Sequence, residues 1–160
     1  MSSPAELLRH AVVSAMPALD AIAEGDATRA RAAGKWSRKE IIGHLIDSAS
    51  VNHERFVRAQ LTDDLICLPY DQNAWVSVQR YHDAQWRQLV GLWALFNEHL
   101  ARVMNAIPLE IQTRPRQRHN LDQVAFHAVP ATEPATLEYF MRDYVAHLEH
   151  HLVQIFEQVT

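Results

Sequence analysis

Residues 143–152 read Asp143-Tyr144-Val145-Ala146-His147-Leu148-Glu149-His150-His151-Leu152. Written on a helix, this stretch places His147 and His151 four residues apart on one face, within reach of a single divalent ion. Val145, Leu148, Leu152 and Ile155 recur at core spacing on the same turns, so the two imidazoles flank an apolar stripe and lean inward. With ten histidines in 160 residues, a His-x-x-x-His pair arises by chance in about every second chain of this composition. The pair becomes a site only with a third ligand and a scaffold.

Working outward, the scaffold reads as all-α, since apolar residues recur with a period of 3.6 and nothing alternates with period two. Ser2 or Ser3 before Pro4 caps a first helix, whose face of Leu7, Leu8, Val12, Ala15, Leu19 and Ile22 runs to about Gly25. Ser37-Arg38-Lys39-Glu40 is a capping box that opens a second helix with a core face of Ile41, Ile42, Leu45, Ala49, Phe56 and Leu61. His44 lies beside that face, and Asp47 lies one turn further on. Residues 62–74 carry Asp63, Asp64, Pro69 and Asp71 and read as a loop.

A third helix is expected from Trp75 or Ser77 to Ala106, with Val78, Tyr81, Leu89, Leu92, Trp93 and Phe96 in its stripe and Pro108 ending it. Trp86 and Trp93, one heptad apart, read as core. About thirty residues then precede the fourth helix, long enough that they either fold locally or carry function. They hold Arg114, Arg116, Arg118 and His119, a basic cluster that offers an anion-binding alternative to plain solvation. Thr136 caps the fourth helix. His150 and Glu149 point away from the His147/His151 face, so the metalloprotease pattern, with its glutamate base between two histidines, does not apply.

A chain of 160 residues with 48% hydrophobic content can bury a core as one domain, 1–160. A net charge of -4 gives no basic footprint for nucleic acid. The single cysteine, Cys67, forms no internal disulfide and suits a reducing, cytoplasmic setting, and there is neither a leader nor a membrane-length apolar run.

His44, His147 and His151 form the ligand set of an open, catalytic divalent site, with Asp47 and Asp143 placed to fix tautomers. The heights of the histidines then select a topology. His44 is near the start of helix two and His151 near the end of helix four, so they share a level only if those helices are antiparallel. A simple up-down-up-down bundle makes them parallel and separates the ligands by roughly 6–12 Å. Parallel helices two and three resolve this, and the loop at residues 62–74 can span the required crossover, up to about 43 Å.

Three segments together resemble the DinB/YfiT-like superfamily of metal-binding four-helix bundles. They are Lys35-Trp36-Ser37-x-x-Glu40-x-x-Gly43-His44-Leu45-Ile46-Asp47-Ser48, Tyr70-Asp71-Gln72, and Asp143-Tyr144-Val145-x-His147-Leu148-x-His150-His151. The resemblance covers nearly the whole chain. It implies an up-down-down-up bundle and one divalent ion, zinc or nickel, held by His44, His147 and His151, together with a homodimer. Characterised relatives include transferases and isomerases that use a low-molecular-weight thiol.

Three functions compete on these grounds. The first is a thiol-dependent S-transferase or isomerase, in which Arg114, Arg116 and Arg118 hold a carboxylate-bearing thiol. The second is metal-assisted hydrolysis of an ester or amide, disfavoured by the lack of an evident glutamate base on helix four, with Asp47 as a candidate base. The third is a non-catalytic bundle whose ion ties helix two to helix four or serves dimerisation. A cavity opening onto the histidines separates the third from the first two.

Overall fold

The computed structural model describes residues 2–157, and among these there is no β-strand. Four long helices form the bundle: α1 (Pro4–Asp20), α3 (Arg38–Arg58), α5 (Trp86–Ala106) and α8 (Leu137–Phe156). Short helices α2 (Glu24–Thr28), α4 (Gln72–Gln79), α6 (Leu109–Thr113) and α7 (Leu121–Val124) lie in the connections. None is long and apolar enough to cross a membrane.

Side-chain contacts fix the direction of each helix. Arg38, at the start of α3, donates to the carbonyls of Ile155 and Glu157 at the end of α8, while Phe56 meets Phe140 at their other ends, so α3 and α8 are antiparallel. Trp86 Nε1, at the start of α5, donates to Leu19 O at the end of α1, and Arg9 pairs with Glu98, which makes those two antiparallel as well. His53 and His99, each late in its helix, lie together, so α3 and α5 run parallel. Arg142, early in α8, reaches Ser2 O before α1. The topology is up-down-down-up, as the histidine heights require.

Both expected caps form as full capping boxes. Ser3 and Glu6 exchange backbone and side-chain hydrogen bonds at α1, and Ser37 and Glu40 do so at α3. Trp86 and Trp93 are buried, 1% and 0% exposed, in the hydrophobic core.

Three expectations are corrected. The first helix stops at Asp20, and Gly25 belongs to the separate turn of α2. Helix three does not start at Trp75 and run through. It breaks into α4, a 3-10 turn at Tyr81–Asp83, and α5, with Arg80 in the left-handed region at φ 52°. The cause is tertiary: Tyr81 buries its ring against Gly43 of α3 and donates its hydroxyl to Asp47, and these contacts outweigh the continuing helical period. Leu61, Val78 and Leu92 lie outside the core, 81%, 76% and 53% exposed; Leu61 falls beyond the α3 cap at Ala59.

The crossover from α3 to α5 therefore begins with an extended run and ends with Tyr81 back beside the first half of α3. The α5–α8 connection folds locally. A strand-like bridge between Arg116 and Ala135 closes it on itself, and another between Leu65 and His119 locks it to the α3–α5 crossover.

Candidate metal centre

The capping box at Ser37 fixes where α3 begins, and two turns later the chain presents His44, 1% exposed, to the inner face of α8. From α8, His147 and His151 meet it one turn apart. Nε2 of His44 lies 3.1 Å from Nε2 of His147. One nitrogen from each of the three imidazoles falls within 4.8 Å of the others. Nitrogens bound at about 2.0–2.1 Å to a common centre sit about 3–3.5 Å apart. The donor set therefore fits a divalent ion with small side-chain adjustments.

Burial keeps these rings neutral, the form that a ligand needs. It pushes His44 down to about 3, with His151 nearby adding to the effect, and His147 down to about 2, with His151 and His44 contributing. His151 is lowered too, chiefly by burial. Its Nδ1 donates to Gln154 Oε1 at 2.9 Å, which leaves Nε2 as the lone pair available to a ligand. Ser48 Oγ lies 3.5 Å from His147 Nδ1. His44 Nδ1 is buried without a partner.

The groups that lie beside the histidines are thus Gln154 and Ser48, and not the two aspartates expected from sequence. Asp47 is buried and accepts from Tyr81 Oη at 2.6 Å and Gln79 Nε2 at 2.7 Å. It fastens the crossover to α3. Asp143 accepts from the backbone N–H of Phe126 and His127 at 2.7 Å each, and its Oδ1 also lies 2.9 Å from His127 Nδ1. It holds the end of the α5–α8 connection over the site, where the Phe126 ring meets His147 edge-on. Helical spacing could have pointed to Gln154, three residues after His151, but not to Ser48, which reaches His147 from another helix. The aspartates are claimed by segments remote in sequence.

The three arginines of the long connection do not converge on the histidines. Arg116 is 1% exposed and donates to Ala59 O, while Arg114 pairs with Asp63 and Arg118 with Asp64. None lines the cavity described next. These are internal fastenings of the two connections, since a buried guanidinium finds its acceptors in backbone carbonyls that the fold supplies.

A cavity of about 490 Å³ opens onto the histidine cluster and is walled by α3, α8, Tyr70 of the crossover and Phe126 of the last connection. Its size is that of a small-molecule pocket. His44, Ser48, Asn52 and Arg55 line it in sequence along α3. His150, expected to face away, is exposed and stands at the rim, where it meets Gln154 and the Phe126 ring. Arg55, which no motif in the sequence singles out, reaches the cavity from α3, and Tyr70, part of the Tyr70-Asp71-Gln72 segment, is carried to the cavity wall by the crossover.

This fold and site define a DinB-type metal-centre bundle, and the chain belongs to the DinB superfamily, whose model matches residues 8–155. The structure is similar to that of YfiT from Bacillus subtilis, described as "a probable metal-dependent hydrolase with an unusual four-helix bundle topology". The TM-score is 0.75 at 18% identity, over 95% of this chain and 81% of that one. No match is found among curated proteins.

Proposed function

We propose that this protein is a divalent-metal-dependent enzyme for a small-molecule substrate, with zinc or nickel at His44, His147 and His151 and a low-molecular-weight thiol as the nucleophile. The observation that carries the reading is that the three imidazoles stand in the wall of an open cavity. A purely structural ion calls for an enclosed site closed by a fourth protein ligand.

A divalent ion held there supplies Lewis-acid charge that lowers the pKa of a bound thiol or water. The chain's own groups do the rest. Gln154 holds His151 and Ser48 lies beside His147, and Phe126 and Tyr70 form part of the cavity wall. Asp143 is the one carboxylate in the cavity wall among the described residues, and both its oxygens are engaged by the Phe126–His127 backbone. With no free carboxylate to take a proton, a nucleophile that ionises readily is favoured. Three neutral ligands also leave the ion's charge uncompensated, which suits an anionic thiolate.

Hydrolysis is the second reading. It is favoured by the exposed His150 imidazole at the rim, a side chain of the type that serves in acid-base chemistry, and by the description given to YfiT. Cobalt substitution tests the choice. A small thiol should produce a sulfur-to-metal charge-transfer band that His44→Ala abolishes; ester turnover with no thiol response would replace the first reading with the second. Metal analysis tests the ligands: about one ion per chain, lost in His147→Ala and kept in His150→Ala. Equal loss in both variants would reject the assignment.

A further inference from the structure

Arg55 is a buried cation with no ion-pair partner among the described residues. Its side chain is nine-tenths buried. One terminal nitrogen donates to Leu68 O at 2.8 Å and the other contacts Asn52 Oδ1 at 3.5 Å, while Nε has no partner at all. The guanidinium carbon also lies 5.8 Å from the centre of the Phe140 ring, leaving the plane without a counter-ion on that side. Burying such a charge unpaired is unfavourable, and replacing it by an apolar residue is the ordinary remedy. A guanidinium retained in this state is matched to an anion that arrives from outside.

The cavity supplies the route. Arg55 lines the same space as the histidines, on the same face of α3, eleven residues from His44. That is about 16 Å along the helix axis. Tyr70 and Phe140 line the cavity too, and these rings suit an uncharged linking segment. We infer that Arg55 is the specificity-determining residue of the site: the substrate is an elongated molecule whose reacting end lies at the three histidines and whose far end carries a carboxylate or phosphate held by the Arg55 guanidinium. The inference rests on the metal-enzyme reading and adds the substrate class to it.

The test uses zinc-loaded protein and pairs of linear hydroxamates that differ only at the far end, a carboxylate in one and a methyl in the other, joined by four, six or eight methylenes. Hydroxamates chelate zinc, so titration calorimetry reads the tail's contribution apart from turnover. At the best length the carboxylate should bind at least about tenfold more tightly, as expected for a charge-assisted pair. Arg55→Met should bring the two to equal affinity, and Arg55→Lys should keep part of the preference. The urea midpoint of unliganded Arg55→Met should be no lower than that of the parent, whereas a guanidinium needed to hold the Leu68 carbonyl would lower it. No preference in the parent at any length, or a preference that survives in Arg55→Met, overturns the inference. If neither hydroxamate binds, the metal-enzyme reading fails instead, and metal-stripped protein decides the Arg55 assignment. Millimolar inorganic phosphate should then raise the melting temperature of the parent and not of Arg55→Met; equal responses reject it.

Discussion

Gly43→Ala isolates the contact that breaks the third helix. In α3 a Cβ at position 43 would lie inside 3 Å of three atoms of the Tyr81 ring. The ring is buried and cannot simply tilt away, because its hydroxyl donates to Asp47 and contacts Gln79. Overpacking of this kind costs about 1–3 kcal/mol. Pulling the phenol from a buried carboxylate adds about 1–3 kcal/mol. Alanine's advantage over glycine within a helix returns about 1 kcal/mol. The net expectation is a loss of roughly 1–5 kcal/mol, read as a lower urea midpoint at unchanged slope. In a Tyr81→Ala background the same substitution should be neutral or should stabilise by up to about 1 kcal/mol, because the clash is gone and the propensity gain remains. A Gly43→Ala protein as stable as the parent, or an equal loss in both backgrounds, would refute this account of the break at Arg80.

Ser37→Ala removes the cap from α3 and should lower stability by about 1 kcal/mol, visible as a shifted denaturation midpoint with the metal stoichiometry retained. Metal-stripped protein should lose stability as pH falls below about 6.5. His44 and His147 stay neutral in the fold down to about 3 and 2, while the unfolded chain takes up protons from about 6.5 downward, so acidification favours unfolding throughout that window. Each histidine contributes at most about 1.4 kcal/mol per pH unit. Urea midpoints at pH 7 and pH 5 should therefore diverge in the parent and converge in a His44→Ala/His147→Ala protein. A homodimer is also expected, with the exposed Leu92 and Leu95 of α5 in its interface. Light scattering that shows a monomer at all concentrations would remove it.

The sequence by itself determined the cores of the four long helices and the facing of the histidines, because both depend on local rules, while the break at Arg80 came from the Tyr81 contacts. A cap and a 3.6-residue period specify a helix from its own residues, and two histidines four apart share a face whatever surrounds them. Even the up-down-down-up order followed from rise per residue, since only antiparallel second and fourth helices bring His44 level with His151. Tertiary structure alone decided which partner each polar side chain takes. Asp47 and Asp143 sit at the right spacing to serve the imidazoles, yet the crossover offers Asp47 a tyrosine hydroxyl and the last connection offers Asp143 two backbone amides. Arg116 was drawn inward to a carbonyl from α3's end, and Arg55, in the last turn of α3, was left facing the cavity. Helical spacing states which groups can meet along one element. Hydrogen-bond pairing in a buried interior is a competition among all the groups that packing brings there, and its outcome is settled only once the connections have closed over the bundle.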